Sequence, residues 1–314
     1  MRTITLTLGA SAPACCSLTS SRQGSTSVQH IGCLRSGSWQ RQAAAAARQR
    51  PQSRLRPSGR LMVAASSASL AKAEAAGVKL DASPEIIQLL RKADAVTFDV
   101  DSTFCCDESI DEIAAFLGVG EQVAALTAQA MGGTVTFQEA LAARLGAMQP
   151  SQDDMRRFLE QHPPQISPGI PELVAELRAQ GKEVFLVSGG FRAVIHPIAE
   201  MLNIPVSHVF ANTILYNADG SYAGFDPAEF PSRSGGKAEA VKHIKKQTRN
   251  YQTVIMVGDG ITDYEARAPG GADAFIGYGG VVFRENVARL SDWYVFSIPA
   301  ITATLRESGS TPTA

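Results

Sequence analysis

Two aspartates one residue apart, Asp99 and Asp101, close the apolar run of "AVTFDVDSTF" at residues 95–104. Paired carboxylates repel each other, and a buried strand is a costly place for charge. A cation held between them would offset that cost. Two more apolar runs also end in polar chemistry. "KEVFLVSGG" (182–190) delivers Ser188, Gly189 and Gly190, and "QTVIMVGDG" (252–260) delivers Asp259, with Thr262 and Asp263 just beyond. Lys237 opens the segment before the second of these runs. The set offers carboxylates suited to Mg²⁺, a hydroxyl with glycine amides suited to an oxyanion, and an ammonium to neutralise it.

Each string has a plainer reading when taken alone. D-x-D-x-T can be a capped turn, "SGGF" a helix entry, and "GDGITD" a turn with Thr262 as N-cap. Lys237 can be a solvated surface charge. A calcium loop over "DVDSTFCCDESIDE" fails, because Thr103 and Phe104 stand where that loop needs an acid and a glycine. The chain has no G-x-x-x-x-G-K-[ST] and no G-x-S-x-G, which removes P-loop and nucleophile-elbow chemistry. The argument rests on the conjunction: each set ends an apolar strand, and ligands of open α/β sheets bind outside the carboxyl ends of strands.

The elements that must carry these tips are legible. "DASPEIIQLLRKAD" reads as a helix with Ser83 as N-cap, Pro84 in the first turn and Ile86, Ile87 and Leu90 on one face. "IPELVAELRAQG" reads as a helix stopped by Gly181. "FRAVIHPIAEMLN" and "KAEAVKHIKKQ" are further helices, and "ADAFIGYGG" and "DWYVFS" are further strands. Asp219-Gly220 marks a hairpin within 212–225. Residues 104–165 hold four helical segments and no strand, so they read as an insertion. The expected fold is α/β, a doubly wound, mostly parallel sheet with an inserted helical-bundle cap. The expected ranges are 80–103 and 166–305 for the core, 104–165 for the cap and 306–314 for a flexible tail.

Charge divides the chain differently. Residues 1–61 hold nine arginines, no lysine and no acid. The remainder then has 20 basic against 30 acidic residues, a net charge of −10, which argues against nucleic acid as a partner. No apolar stretch is long enough for a membrane-spanning helix. The Arg-, Ser- and Ala-rich leader reads as an organelle transit peptide over 1–65, expected to be disordered. Scarce lysine and abundant serine favour the chloroplast stroma, with the mitochondrion as the alternative. Of five cysteines only Cys105 and Cys106 lie beyond the leader, so neither a disulfide framework nor a zinc site is expected.

"DVDST", "SGGF", "SGGK" and "GDGITD", in this order, resemble the four motifs of the haloacid dehalogenase superfamily of phosphatases. "DESIDE", "AMGG", "FQEALAARL", "VFLVSGGFR", "YAGFD" and "GGADAFIGYGG" extend the resemblance to the branch that hydrolyses O-phospho-L-serine, over residues of about 85–300. The resemblance implies a Rossmann-like core and a Mg²⁺-dependent transfer through an aspartyl-phosphate, the last step of serine synthesis. Asp99 would be nucleophile and Asp101 general acid and base. Asp99, Asp101 (through its carbonyl), Asp259 and Asp263 would form the metal site. Ser188, Gly189, Gly190, Lys237 and Thr262 would hold phosphate. Glu108, Met131, Gly132, Phe137 and Arg144 would read the serine, Arg144 taking its carboxylate and Glu108 its ammonium. Members commonly carry glycine where Ser109 stands, which bears on affinity. Two rival readings are a phosphotransferase passing phosphate to another alcohol such as homoserine, and a non-catalytic metabolite-binding protein. Oligomeric state stays open, a homodimer included.

Overall fold

The computed structural model describes residues 67–131, 135–246 and 250–307. The expected leader over 1–65 and nearly all of the expected tail lie outside the described residues. In chain order the elements are α1 (Ser67–Ala75), α2 (Pro84–Lys92), β1 (Ala95–Phe98), α3 (Ser109–Phe116), α4 (Gly120–Met131), α5 (Phe137–Met148), α6 (Gln152–Gln161) and α7 (Ile170–Ala179). They continue as β2 (Glu183–Phe191), α8 (Arg192–Met201), β3 (Val209–Asn212), β4 (Ile214–Tyr216), β5 (Tyr222–Phe225), α9 (Gly236–Lys246), β6 (Val254–Gly258), α10 (Ile261–Glu265), β7 (Ala274–Tyr278), α11 (Glu285–Leu290), β8 (Trp293–Val295) and α12 (Ile298–Arg306).

Six strands form one sheet in the order β3-β2-β1-β6-β7-β8. Every pairing in it is parallel. Successive strand residues point to opposite faces, and both faces are covered. Val96, Phe98, Val184, Leu186, Ile255 and Val257 join one apolar cluster with α2, α7, α8 and α12. Ala95, Phe185, Val187, Val254 and Met256 join another with α9 and α11. Burial on both faces is why these strands read as continuous apolar runs instead of alternating ones. β1 is central, with β2 on one side and β6 on the other; β1 and β6 end together, and β2 runs on past them to Phe191.

Local signals act as their chemistry requires. The Ser83 side chain accepts from the Ile86 amide at the start of α2. Gly181 follows α7 with a left-handed φ of 72°. The helices α3 to α6 enclose their own cluster, built on Ile113, Val123, Leu141, Leu145, Met155 and Phe158. Thr136 and Ser151 each cap the next helix with a reciprocal box. The β4–β5 hairpin forms where Asp219-Gly220 marked it. Counted with the core range in the sequence, it packs with the helical insertion instead: Ile214, Tyr216, Tyr222 and Phe225 all touch the insertion's cluster. The two chain crossings into the insertion are held side by side, with a bridge from Cys105 to Ile166 and Cys106 N donating to Gln165 O at 2.8 Å.

The amino-terminal side of β1 is tied in as well. Tyr294 N donates to Lys79 O, and Trp293 Nε1 donates to Leu80 O at 3.0 Å. Residues 79–80 therefore pad the edge strand β8 before α2 begins.

Candidate active site

β1 delivers Asp99 at its carboxyl end, and the chain then turns at once. Residues 100–104 form a wide turn in which Cys105 N donates to Val100 O at 2.9 Å. Ser102 takes a left-handed φ of 54°, strained for a residue with a side chain. This turn keeps both Asp99 and Asp101 at the sheet edge, whereas an extended strand would put both on one face and carry residue 101 about 7 Å further along.

Around Asp99 the structure assembles the expected acids. One carboxylate oxygen from each of Asp99, Asp259 and Asp263 lies within 4.8 Å of the others, and all three residues are buried. Lys237, from the start of α9, enters this cluster. Its Nζ is 2.8 Å from Asp99 Oδ2 and 2.6 Å from Asp263 Oδ1. Burial works against its charge, but the Asp263 and Asp99 carboxylates outweigh that and hold its pKa above the ordinary lysine value. Asp263 uses its other oxygen to accept from Gly260 N at 2.9 Å, capping α10. The N-cap is therefore Gly260, and Thr262 lies inside the helix rather than capping it. An added Cβ at Gly258 would collide with the Asp263 side chain, so glycine is what lets that acid approach β6.

Asp101 stands apart from the triad. Its Oδ1 accepts from Ser109 N at 2.9 Å. Burial, then the neighbouring Asp99 charge, push its pKa up to about 7. From β2 come Ser188, Gly189 and Gly190, with Gly190 N donating to Ser188 Oγ at 2.9 Å. A Cβ at Gly190 would lie 2.7 Å from Asp101 Oδ2 and 3.2 Å from Ser188 Oγ. The SGG tip and Asp101 thus face each other with no room for a side chain. Ser109 Oγ is buried there without a hydrogen-bond partner.

Among the insertion residues, Phe137 lies over Gly189 and lines a recess of about 210 Å³ with Gly189, Lys237 and Thr262. Glu108 Oε1 accepts from Ser102 Oγ at 2.7 Å. Burial raises the Glu108 pKa, Ser102 and Arg284 opposing it. Arg144, half-buried on α5, donates to Ala140 O at 3.2 Å. Burial lowers its pKa, against the pull of Asp111 and Glu108. Gly132 and the Met131 side chain lie outside the described residues.

The sequence reading missed Arg284, Thr103 and Ser102. Arg284 Nε is 2.9 Å from Asp259 Oδ2, and Thr103 Oγ1 donates to Asp259 Oδ1 at 3.2 Å. A signal for Arg284 was present: it lies in the segment after β7, whose carboxyl end opens on the same edge.

The donor set fits a hard divalent cation. It is all oxygen, it is buried, and it sets three carboxyl groups against two cations, Lys237 and Arg284. All three acids are hydrogen-bonded on both oxygens: Asp99 by Val100 N and Lys237, Asp259 by Thr103 and Arg284, and Asp263 by Gly260 N and Lys237.

Residues 93–271 match the family described as haloacid dehalogenase-like hydrolase. The chain is 53% identical to the chloroplastic phosphoserine phosphatase of Arabidopsis thaliana, over 71% of this chain and 75% of that one. It is 46% identical to the phosphoserine phosphatase of Bos taurus, over 71% of this chain and 98% of that one. Among solved structures it resembles the DsGPDH of Dunaliella salina (39% identity, TM-score 0.64), over 72% of this chain and 38% of that much longer one. It also resembles a phospho-aspartyl intermediate analogue of a phosphoserine phosphatase (26% identity, TM-score 0.56), over 66% of this chain and 94% of that one. The chain belongs to the haloacid dehalogenase-like hydrolases, and within them to the phosphoserine phosphatase family.

Proposed function

We propose that the protein hydrolyses O-phospho-L-serine to L-serine and phosphate. The observation that carries this reading is the Asp99–Lys237–Asp263 chain beside Asp101 and the SGG tip, in a chain whose relatives are phosphoserine phosphatases. An Asp99 oxygen attacks phosphorus and the bond to the serine oxygen breaks. Asp101, with its raised pKa, gives its proton to that leaving oxygen. Asp101 then takes a proton from a water that attacks the same phosphorus, and the bond to Asp99 breaks. Lys237, Ser188 and the Gly189 and Gly190 amides hold the phosphate oxygens. Asp99, Asp259 and the Asp101 carbonyl would hold Mg²⁺, which supplies charge neutralisation on the transferring group. Glu108 and Arg144 bind the ammonium and carboxylate of the serine, with Phe137 closing the recess.

The name of the Arabidopsis relative and the arginine-rich, acid-free leader support a plastid location and a place in serine synthesis. The core–cap division at 104–165 is part of the same reading, the hairpin 214–225 packing with the cap. The test is phosphate release from phosphoserine, phosphoethanolamine and phosphoglycolate, with and without Mg²⁺. Phosphoserine is cleaved best and only with the metal. Product analysis with added homoserine separates hydrolysis from transfer to another alcohol, and no phosphate from any ester would leave only a binding protein.

A further inference from the structure

Arg284 is the N-cap residue of α11, on the segment that follows β7. Its guanidinium faces two carboxylates that come from different parts of the fold. Nε is 2.9 Å from Asp259 Oδ2, beside the carboxylate triad. Nη2 is 3.7 Å from Glu108 Oε1, at the entry to the helical insertion. The first contact is a charge-assisted hydrogen bond to a buried group. The second is a looser ion pair, and both of its side chains are open to a ligand, at 35% and 41% exposed. Ser102 Oγ donates to the same Glu108 oxygen at 2.7 Å. Glu108 therefore has one hydroxyl and one guanidinium behind it, and a second oxygen with no bond to either.

We propose that Arg284 is a positioning residue for substrate specificity: it holds the Glu108 carboxylate at a fixed distance from Asp259, so that Glu108 meets the ammonium of an amino-acid phosphomonoester whose phosphate lies at Lys237. This rests on the reading of the site as one for phosphoserine. A planar guanidinium with several donors in fixed directions can span two carboxylates in a way that a flexible ammonium cannot. Glutamate has three side-chain torsions, and a free Glu108 would lose that freedom on every binding event. Arg284 removes part of that loss beforehand. It also ties the distance between the two ends of the substrate to the core, because Asp259 is anchored at β6 and Thr103 holds its other oxygen. The Glu108 contact does not touch the reacting bond, so its effect falls on selection between substrates, while the Asp259 contact acts alike on every substrate.

The experiment compares kcat/KM for O-phosphoserine and for 3-phosphooxypropanoate, which keeps the carboxylate and its spacing from the phosphate and lacks the ammonium. It uses the wild-type protein, Arg284→Met, Glu108→Gln and the double variant. The ratio of the two substrates cancels any loss that Arg284→Met causes through Asp259. We expect that ratio to fall about tenfold in Arg284→Met, chiefly through KM for phosphoserine, and the double variant to be no less selective than Glu108→Gln alone. Arg284→Gln serves in the same cycle if the Met variant is poorly folded. An unchanged ratio, or losses that simply add, overturns the proposal while leaving the phosphoserine reading intact. A wild-type protein that cleaves both esters equally well overturns Glu108 as the ammonium site, and the role of Arg284 with it.

Discussion

The Lys237 ammonium lies 2.8 Å from the Asp99 carboxylate, and Asp263 grips the same ammonium from the other side at 2.6 Å. Breaking such a buried pair leaves an uncompensated charge, so its members act as a unit. The arrangement sets one cation between two of the clustered acids, while the other Asp99 oxygen, Oδ1, accepts from Val100 N at 2.7 Å.

Asp99→Asn tests the nucleophile directly. The amide keeps the shape and loses the attacking oxygen. Phosphate release falls at least about 10³-fold, while circular dichroism and the melting curve still report a folded protein. Full activity in this variant would remove Asp99 from its assigned role.

The acids around Asp99 predict metal binding that can be read without turnover. Titration calorimetry with Mg²⁺ gives a binding isotherm for the wild-type protein. In Asp259→Asn the affinity drops at least about tenfold, since a hard cation loses a charged oxygen. Equal affinity in the two proteins would place the ion elsewhere.

Asp101 predicts a pH dependence of stability in the metal-free protein. Its pKa is raised from 3.8 to about 7 by burial and then by Asp99. The folded state thus holds a proton that the unfolded chain releases above pH 4. Stability from this group is present at low pH and is lost as pH rises toward 7. Asp101→Asn keeps the acceptor for Ser109 N and cannot ionise. It should therefore exceed the wild type in stability at pH 8, on the order of 1–3 kcal/mol, and match it near pH 4. Urea denaturation at the two pH values checks this; an equal difference at both would show that Asp101 is not protonated in the fold.

Gly190→Ala should cost activity more than stability. Its Cβ would lie 2.7 Å from Asp101 Oδ2 and 3.1 Å from Ser109 Oγ. The carboxyl has to move, and proton transfer with it, for a loss of kcat of about 10²-fold. Wild-type kcat with an ordinary melting temperature would mean that Asp101 has slack the packing does not reveal.

Arg144→Ala should abolish the preference for phosphoserine over phosphoethanolamine, which lacks the carboxylate. A forked contact to a carboxylate is worth about tenfold or more in selectivity. If the preference survives, another cation reads that group.

Much of this was legible because its causes are local. Burial on both faces makes β1, β2 and β6 continuous apolar runs, and the polar residues that follow those runs, Asp99, Ser188 and Asp259, come to one sheet edge, Ser188 still within β2. Gly181 and Asp219-Gly220 punctuate the chain through their own backbone preferences. What came from the fold alone is contact between residues far apart in sequence. The position of "FREN" after β7 puts Arg284 near the edge, but does not say that it reaches Asp259, 25 residues earlier, and Glu108 as well. Nothing near "GDGITD" says that Asp263 pairs with Lys237, 26 residues earlier. The hairpin's allegiance to the helical insertion was likewise invisible, since alternation shows that a strand has an apolar face but not which partner covers it. The sequence by itself determined which groups stand at the edge of the sheet. Only the tertiary structure decided how their charges pair, because pairing depends on distances that close through space and not along the chain.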